Sequence, residues 1–129
     1  MERKMFILMS HTMTKGQEAS AREDLHIGTF VVVPEEKWKQ IPAEADSVCS
    51  HLHEIKRFLI GNAHRGDYLW VQGDFGATVN MVTFAKRMGL IPVYATTERR
   101  TKESVQGEEV KTTRVFAHVR FREYEIECL

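Results

Sequence analysis

Tyr68-Leu69-Trp70-Val71-Gln72-Gly73-Asp74-Phe75-Gly76-Ala77-Thr78 is the stretch that decides the fold. The first four residues read as a strand buried on both faces, because they are continuously apolar rather than alternating. Two glycines then bend the chain, and a helix is predicted from about Ala77 to Met88. Lys86 and Arg87 fall in its last turn, where cations favour the helix dipole, and Gly89 follows as a C-terminal cap. A strand, a glycine turn and a helix in that order form half of a parallel βα unit.

The same grammar extends in both directions. Met5-Phe6-Ile7-Leu8-Met9 is a second continuous apolar run, followed by Ser10-His11-Thr12. Thr14 with Gln17 three residues later matches a capping box and predicts a helix over about 15–24. Gly28 precedes another buried strand, Phe30-Val31-Val32-Val33, and Pro34 opens a short helix through Trp38. From about Ala45 the spacing of Val48, Leu52, Ile55 and Leu59 predicts a long helix ending near Gly61-Asn62, or one turn later at Gly66. Downstream, Ile91-Pro92-Val93-Tyr94-Ala95 reads as a fourth strand. Residues 98–109 are nearly all polar and read as a mobile surface loop or a hairpin turn. Val115, Ala117, Val119 and Phe121 then alternate with Arg114, His118, Arg120 and Arg122, which marks a half-wet strand antiparallel to its neighbour. Four strand–helix alternations and one edge strand predict an α/β fold: a mostly parallel, Rossmann-like sheet with helices on both faces.

The totals narrow the class of protein. At 129 residues one domain is expected, spanning 1–129. The chain is 43% hydrophobic and 28% charged, with 18 basic and 18 acidic residues. That neutral balance argues against coating a long nucleic acid, which needs a broad excess of Lys and Arg. Cys49 and Cys128 form no CxxC pair and read as free thiols of a reducing cytoplasm. Met1-Glu2-Arg3-Lys4 is basic, but the five apolar residues after it are too few for a signal core or a membrane span, so a cytoplasmic protein is expected. His51 and His53 sit two apart on the predicted helix and cannot share a metal. No metal and no cofactor are expected.

In an open parallel sheet, ligands bind beyond the carboxyl ends of the strands. Ser10-His11-Thr12, Gln72–Thr78 and Thr96-Thr97-Glu98-Arg99-Arg100 should converge there. Gly73 and Gly76 would let the backbone take unusual dihedrals and admit a ligand closely, and the helix beginning at Ala77 would point amides at a phosphate. The turn is neither GxGxxG nor a Walker motif. Asp74 is suited to a ribose hydroxyl or a base amine, or to capping the helix. His11 is the candidate acid or base. Ser10 and Thr12 are candidate phosphate ligands, Arg99 and Arg100 a candidate forked clamp, and Thr96 and Thr97 lie nearer the sheet, within reach of a ligand.

These three strand ends resemble a small stand-alone CRISPR-associated family grouped with the ring nucleases of type III systems. The resemblance runs from Phe6 to about Arg100 and is most specific from Gln72 to Thr78. It implies a CARF-like domain that forms a two-fold homodimer and binds a cyclic oligoadenylate, typically cyclic tetra-adenylate, across the dimer cleft. Ring nucleases cut that messenger and switch off the antiviral response, and the lack of an effector domain in this sequence fits an off-switch. On this expectation His11 moves the proton, Arg99 or Arg100 stabilises charge, the Gly73–Thr78 amides, Phe75, Gly76 and Ala77 included, hold phosphate, and Gln72 and Asp74 meet ribose or adenine. A module that sequesters the ring uncut needs the same pocket. An enzyme acting on an ordinary mononucleotide is disfavoured by the missing Walker lysine and missing carboxylate cluster.

Overall fold

The computed structural model describes residues 2–34 and 36–128; Met1, Glu35 within the predicted Pro34–Trp38 helix, and Leu129 lie outside the described residues. In chain order the elements are β1 (Arg3–Leu8), α1 (Lys15–Asp24), β2 (Ile27–Val32), α2 (Glu36–Lys39), a 3₁₀ turn (Cys49–Leu52), α3 (His53–Asn62), β3 (Tyr68–Val71), α4 (Phe75–Met88), β4 (Ile91–Gln106) and β5 (Glu109–Glu123). The sheet has five strands in the order β2-β1-β3-β4-β5. The first three pairings are parallel and β4–β5 is antiparallel.

Local chemistry explains most boundaries. The Thr14 hydroxyl accepts from the Gln17 N–H at 3.2 Å and the Gln17 side-chain oxygen accepts from the Thr14 N–H at 2.9 Å, the expected capping box. Such a cap is worth about 1 kcal/mol. Helix α4 ends where Gly89 turns left-handed, at φ 79°, a conformation that costs glycine nothing. The long helix expected from Ala45 begins instead at His53, after the 3₁₀ turn. His51 and His53 therefore belong to different elements.

Two apolar layers sandwich the sheet. One joins Phe6, Leu8, Leu69 and Val71 to Leu52, Ile55 and Leu59 around α3 and to Ala77, Met81 and Ala85 of α4. The other joins Met5, Ile7, Tyr68, Trp70, Val93 and Phe121 to Ala21 of α1. Successive residues of β1 and β3 feed opposite layers, which is why these two strands read as unbroken apolar runs. The strand expected to be buried at Phe30–Val33 is instead the edge strand β2, with Val32 67% exposed.

Of the two readings of the polar stretch 98–109, a mobile loop or a hairpin turn, the structure shows the hairpin, but the turn occupies only its end and the rest is strand. Strand β4 continues to Gln106, turns at Gly107 (φ 65°) and returns as β5, pairing from Gln106↔Glu109 down to Val93↔Glu123. Its polarity reflects exposure on both faces, since all residues from Thr97 to Phe116 are exposed. The outer part of this hairpin is an arm about 30 Å long at ~3.3 Å per residue. A second correction follows at its base. The pairing shifts between Thr96 and Thr97, so that Thr96 opposes Arg120 while Thr97 opposes His118, and Val119 is the extra residue of a bulge. The bulge breaks the simple alternation. His118 does not share a wet face with Arg120 and Arg122; its ring packs on Phe121, with centroids 5.0 Å apart, on the α1 side of the sheet.

Candidate functional site

Helix α1 follows β1 onto one face of the sheet, while α4 follows β3 onto the other. Because β1 and β3 are neighbours, their carboxyl ends part there, and this is the crevice in which open α/β sheets bind ligands. Ser10, His11 and Thr12 lie on its β1 side, all exposed. On its β3 side lies Gln72–Thr78. These two segments are brought together as expected.

The exit of β3 is locked by side chains. The Gln72 N–H donates to the Leu8 carbonyl at 3.1 Å. Its side-chain oxygen accepts from the Trp70 indole at 2.7 Å and from the Ala95 N–H at 2.8 Å. Its main-chain carbonyl accepts from the Trp38 indole at 3.1 Å, and the Tyr124 hydroxyl donates to the Val71 carbonyl at 2.5 Å. Burial, helped by neighbouring Tyr94, pushes the Tyr124 phenol up to about 12. Gln72 therefore spends its acceptors on the fold, and its amide nitrogen is what it can offer a ligand. Trp38 and Tyr124 were missed in the sequence; an aromatic ring with a polar tip beside a strand end was the available signal.

The glycines act differently from expectation. Neither Gly73 nor Gly76 has a positive φ; among glycines only Gly66, Gly89 and Gly107 do. A Cβ on Gly73 would lie 2.8 Å from the Trp38 indole, so this glycine makes room for the ring. On Gly76 a Cβ would meet only the Asp74 carboxylate, at 3.6 Å. Asp74 takes the capping role: its carboxylate accepts from the Ala77 N–H at 2.9 Å, and its carbonyl from the Thr78 N–H at 2.8 Å. That starts α4 two residues earlier than predicted. It also removes the Ala77 and Thr78 amides from any ligand and leaves those of Phe75 and Gly76 without an intrahelical partner. Ala77 is fully buried, and the Thr78 hydroxyl is buried with no hydrogen-bond partner. Phe75, in the first turn, is 92% exposed. A bare aromatic ring beside free helix-terminal amides matches a nucleotide's two halves, a base to stack and a phosphate to bind.

The β4 end contributes less. The Thr96 hydroxyl closes the bulge, donating to the Arg120 carbonyl at 2.9 Å and accepting from its N–H at 3.3 Å, and is not free for a ligand. Thr97 is exposed at the start of the arm. Tyr94 is level with Val71 in the sheet, so Arg99 and Arg100 lie about 17–20 Å beyond the sheet edge at ~3.3 Å per residue. As neighbours in a strand they leave opposite faces and cannot form a paired clamp. Arg99 covers the Phe116 ring at 5.8 Å, and Arg100 pairs with Glu98 at 2.6 Å.

His11 has no hydrogen-bond partner among the described residues. No group of three or more His, Cys, Asp or Glu is arranged to hold a metal ion among them. Cys49 and Cys128 are free and exposed. A hydrogen bond from Cys128 to Glu125, at 2.8 Å, and that carboxylate's charge push its thiol up. A groove of about 510 Å³ lies at the opposite, amino edge of the sheet, near Lys4, His64 and Asp67. There Asp67 is already occupied by the His64 and Lys4 N–H groups, at 2.8 and 3.3 Å. No helix is long and apolar enough to cross a membrane.

Fold and site together define a mixed α/β protein with a mostly parallel five-stranded sheet and a candidate ligand crevice where β1 and β3 part. The chain belongs to the Uncharacterized protein MJ1673 family, whose model matches residues 3–122. It is 43% identical over 124 residues to "Uncharacterized protein MJ1673" of Methanocaldococcus jannaschii, covering 94% of this chain and 96% of that protein. No solved structure is found to match it.

Proposed function

We propose that this protein is a CARF-like, Rossmann-type ring nuclease: it binds a cyclic oligoadenylate, cyclic tetra-adenylate first among them, in the crevice between β1 and β3 and cleaves it, ending a type III CRISPR signal in the cytoplasm. The observation that carries the reading is Phe75, 92% exposed in the first turn of α4. An adenine stacks on that ring, and a phosphate takes the Phe75 and Gly76 amides. The resemblance read in the sequence supplies the ligand's identity.

The chemistry asks little of the protein. A ribose 2′-hydroxyl attacks the adjacent phosphorus, the 5′-oxygen leaves, and a 2′,3′-cyclic phosphate remains. Holding the hydroxyl in line supplies most of the acceleration. The helix-terminal amides oppose the developing charge. His11 moves the proton, a contribution of about 10²–10⁴-fold. Arg99 and Arg100 cannot share one phosphate from a single arm, so at most one of them serves a given site.

One observation favours a second reading, sequestration without cleavage: His11 has no partner among the described residues to orient its ring, as a general base usually has. Excess labelled cyclic tetra-adenylate incubated with the protein, with and without chelator, separates the cases. Several linear products per protein, reduced at least 100-fold in His11→Ala, support the enzyme. Bound but intact ligand supports sequestration. No binding of any ring size overturns both.

A further inference from the structure

The arm presents two unequal faces. Cross-strand partners share a face, so Arg99 with Phe116, Thr101 with Arg114, Glu103 with Thr112 and Val105 with Val110 all lie on one side. It is the side of the sheet that carries α1, because the ring contact of His118 with Phe121 fixes the face one pair nearer the base. Phe116, Val105 and Val110 are 69%, 72% and 61% exposed. The opposite face carries Glu98, Arg100, Lys102 and Lys111, with Val115 and Ala117 as its apolar residues. A two-stranded ribbon standing alone in water is marginal, and this one exposes apolar residues on a chosen face.

The pattern on that face is complementary to itself. Turn a second arm antiparallel and lay it face to face, with the two-fold axis at the level of Lys102 and Thr113. Each step toward the tip of one arm then meets an equal step toward the base of the other. The Thr101–Arg114 level meets the partner's Glu103–Thr112 level, with β4 over β4 and β5 over β5, so Arg114 reaches Glu103 across the diagonal, twice by symmetry. The Arg99–Phe116 level meets Val105 and Val110, so the exposed ring covers the exposed valines, again twice. Glu103 and Arg114 make no ion pair among the described residues. Nothing but the strand register and one axis is needed to satisfy both sets at once.

We infer that the arm is a homodimer interface: two copies of this chain stack their β4–β5 arms antiparallel through the face bearing Phe116, Val105 and Val110, with Arg114 of each copy paired to Glu103 of the other. The two sheets cross at an angle of about 30°, as twisted sheets do. The contact is smaller than the roughly 20–30 residues a side of a standard interface, so a dimer of about micromolar dissociation constant is expected. Both arms rise from the carboxyl edge of their sheets, so the pair directs the two candidate crevices toward one another. The interface does not depend on the nucleotide reading, and its test uses no nucleotide.

Sedimentation equilibrium of the full chain from about 1 to 200 µM decides it, with a melting curve for each variant to verify folding. Wild type should be a reversible monomer–dimer system, weakened by salt. Phe116→Asp should be monomeric. Glu103→Arg and Arg114→Glu should each raise the dissociation constant at least tenfold, because like charges then meet twice. The double variant Glu103→Arg with Arg114→Glu should return to within about threefold of wild type, and the two single variants mixed should form a heterodimer tighter than either homodimer. A wild type that stays monomeric throughout overturns the proposal. So does a dimer that Phe116→Asp and the single charge reversals leave intact, or a double variant no better than the singles.

Discussion

The side-chain oxygen of Gln72 accepts two hydrogen bonds, from the indole of Trp70 at 2.7 Å and from the N–H of Ala95 at 2.8 Å. A single atom thus ties the end of β3 to a ring of the core and to the backbone of β4, directly beneath the candidate crevice. Trp70 is fully buried, so its donor has no water to turn to. Gln72→Ala should cost about 2–4 kcal/mol in urea unfolding, one to two unsatisfied donors' worth. Gln72→Glu keeps the acceptor and should recover at least half of that loss. Equal stability of wild type and Gln72→Ala would sink the clamp.

Gly73 and Gly76 should respond in opposite ways to the same methyl group. Gly73→Ala drives a carbon to 2.8 Å from the Trp38 indole, and overpacking of this kind costs about 1–3 kcal/mol. Gly76→Ala meets only ordinary contact at 3.6 Å and gains up to ~1 kcal/mol of helix preference. Thermal melts of the two variants check the pair. A harmless Gly73→Ala would return this glycine to ligand approach.

Phe75→Ala should separate binding from folding. The ring is 92% exposed, so stability should stay within about 0.5 kcal/mol. Loss of one stacked base should weaken cyclic oligoadenylate binding by about 1–3 kcal/mol, roughly 5- to 150-fold. Phe75→Trp should bind as well as wild type. Titration calorimetry beside a melting curve reads both quantities, and unchanged affinity in Phe75→Ala would remove the stacking platform from the mechanism.

Tyr124 makes part of the fold's stability depend on alkaline pH. Its phenol is raised in the folded state from 10.0 to about 12, by burial first and Tyr94 second. An acid whose folded value is raised stays neutral in the fold while the unfolded chain ionises. Its contribution is therefore complete below pH 10 and lost as pH rises toward 12. Tyr124→Phe should be about 1 kcal/mol less stable at neutral pH, having lost the bond to the Val71 carbonyl. The gap to wild type should shrink from pH 10 upward. A constant gap across that range would contradict the assignment.

The elements that position the crevice were legible because their signals are local. An apolar run such as Met5–Met9 and a capping box such as Thr14–Gln17 carry their meaning within a few residues. The βα alternation placed the strand ends on one edge of the sheet; the order β2-β1-β3-β4-β5, which puts the crevice between β1 and β3, came only with the structure. What failed to show was long-range. Gly73 looked like a ligand glycine because the ring it yields to, Trp38, is 35 positions away. Gln72 and Thr96 looked like ligand groups because their partners lie on other strands. The stretch 98–109 read as a loop or a hairpin turn, and not as long strands, because strand patterning assumes one buried face, and an arm standing in solvent has none. His118 was assigned to the wrong face for want of one bulge residue.

That bulge also governs where the arm points. Val119 is the extra residue against Thr96 and Thr97, and the Thr96 hydroxyl staples it by two bonds to Arg120. Without Val119 the strand would read His118-Arg120-Phe121, an unbroken alternation, and every outer pair would keep its face. Only the local bend and added twist would go. The arm's chemistry and its aim are thus written in different residues. A single-codon deletion would straighten the elbow while sparing the surface it carries, which makes the angle between body and arm a property that can drift, or be engineered, independently of what the arm touches.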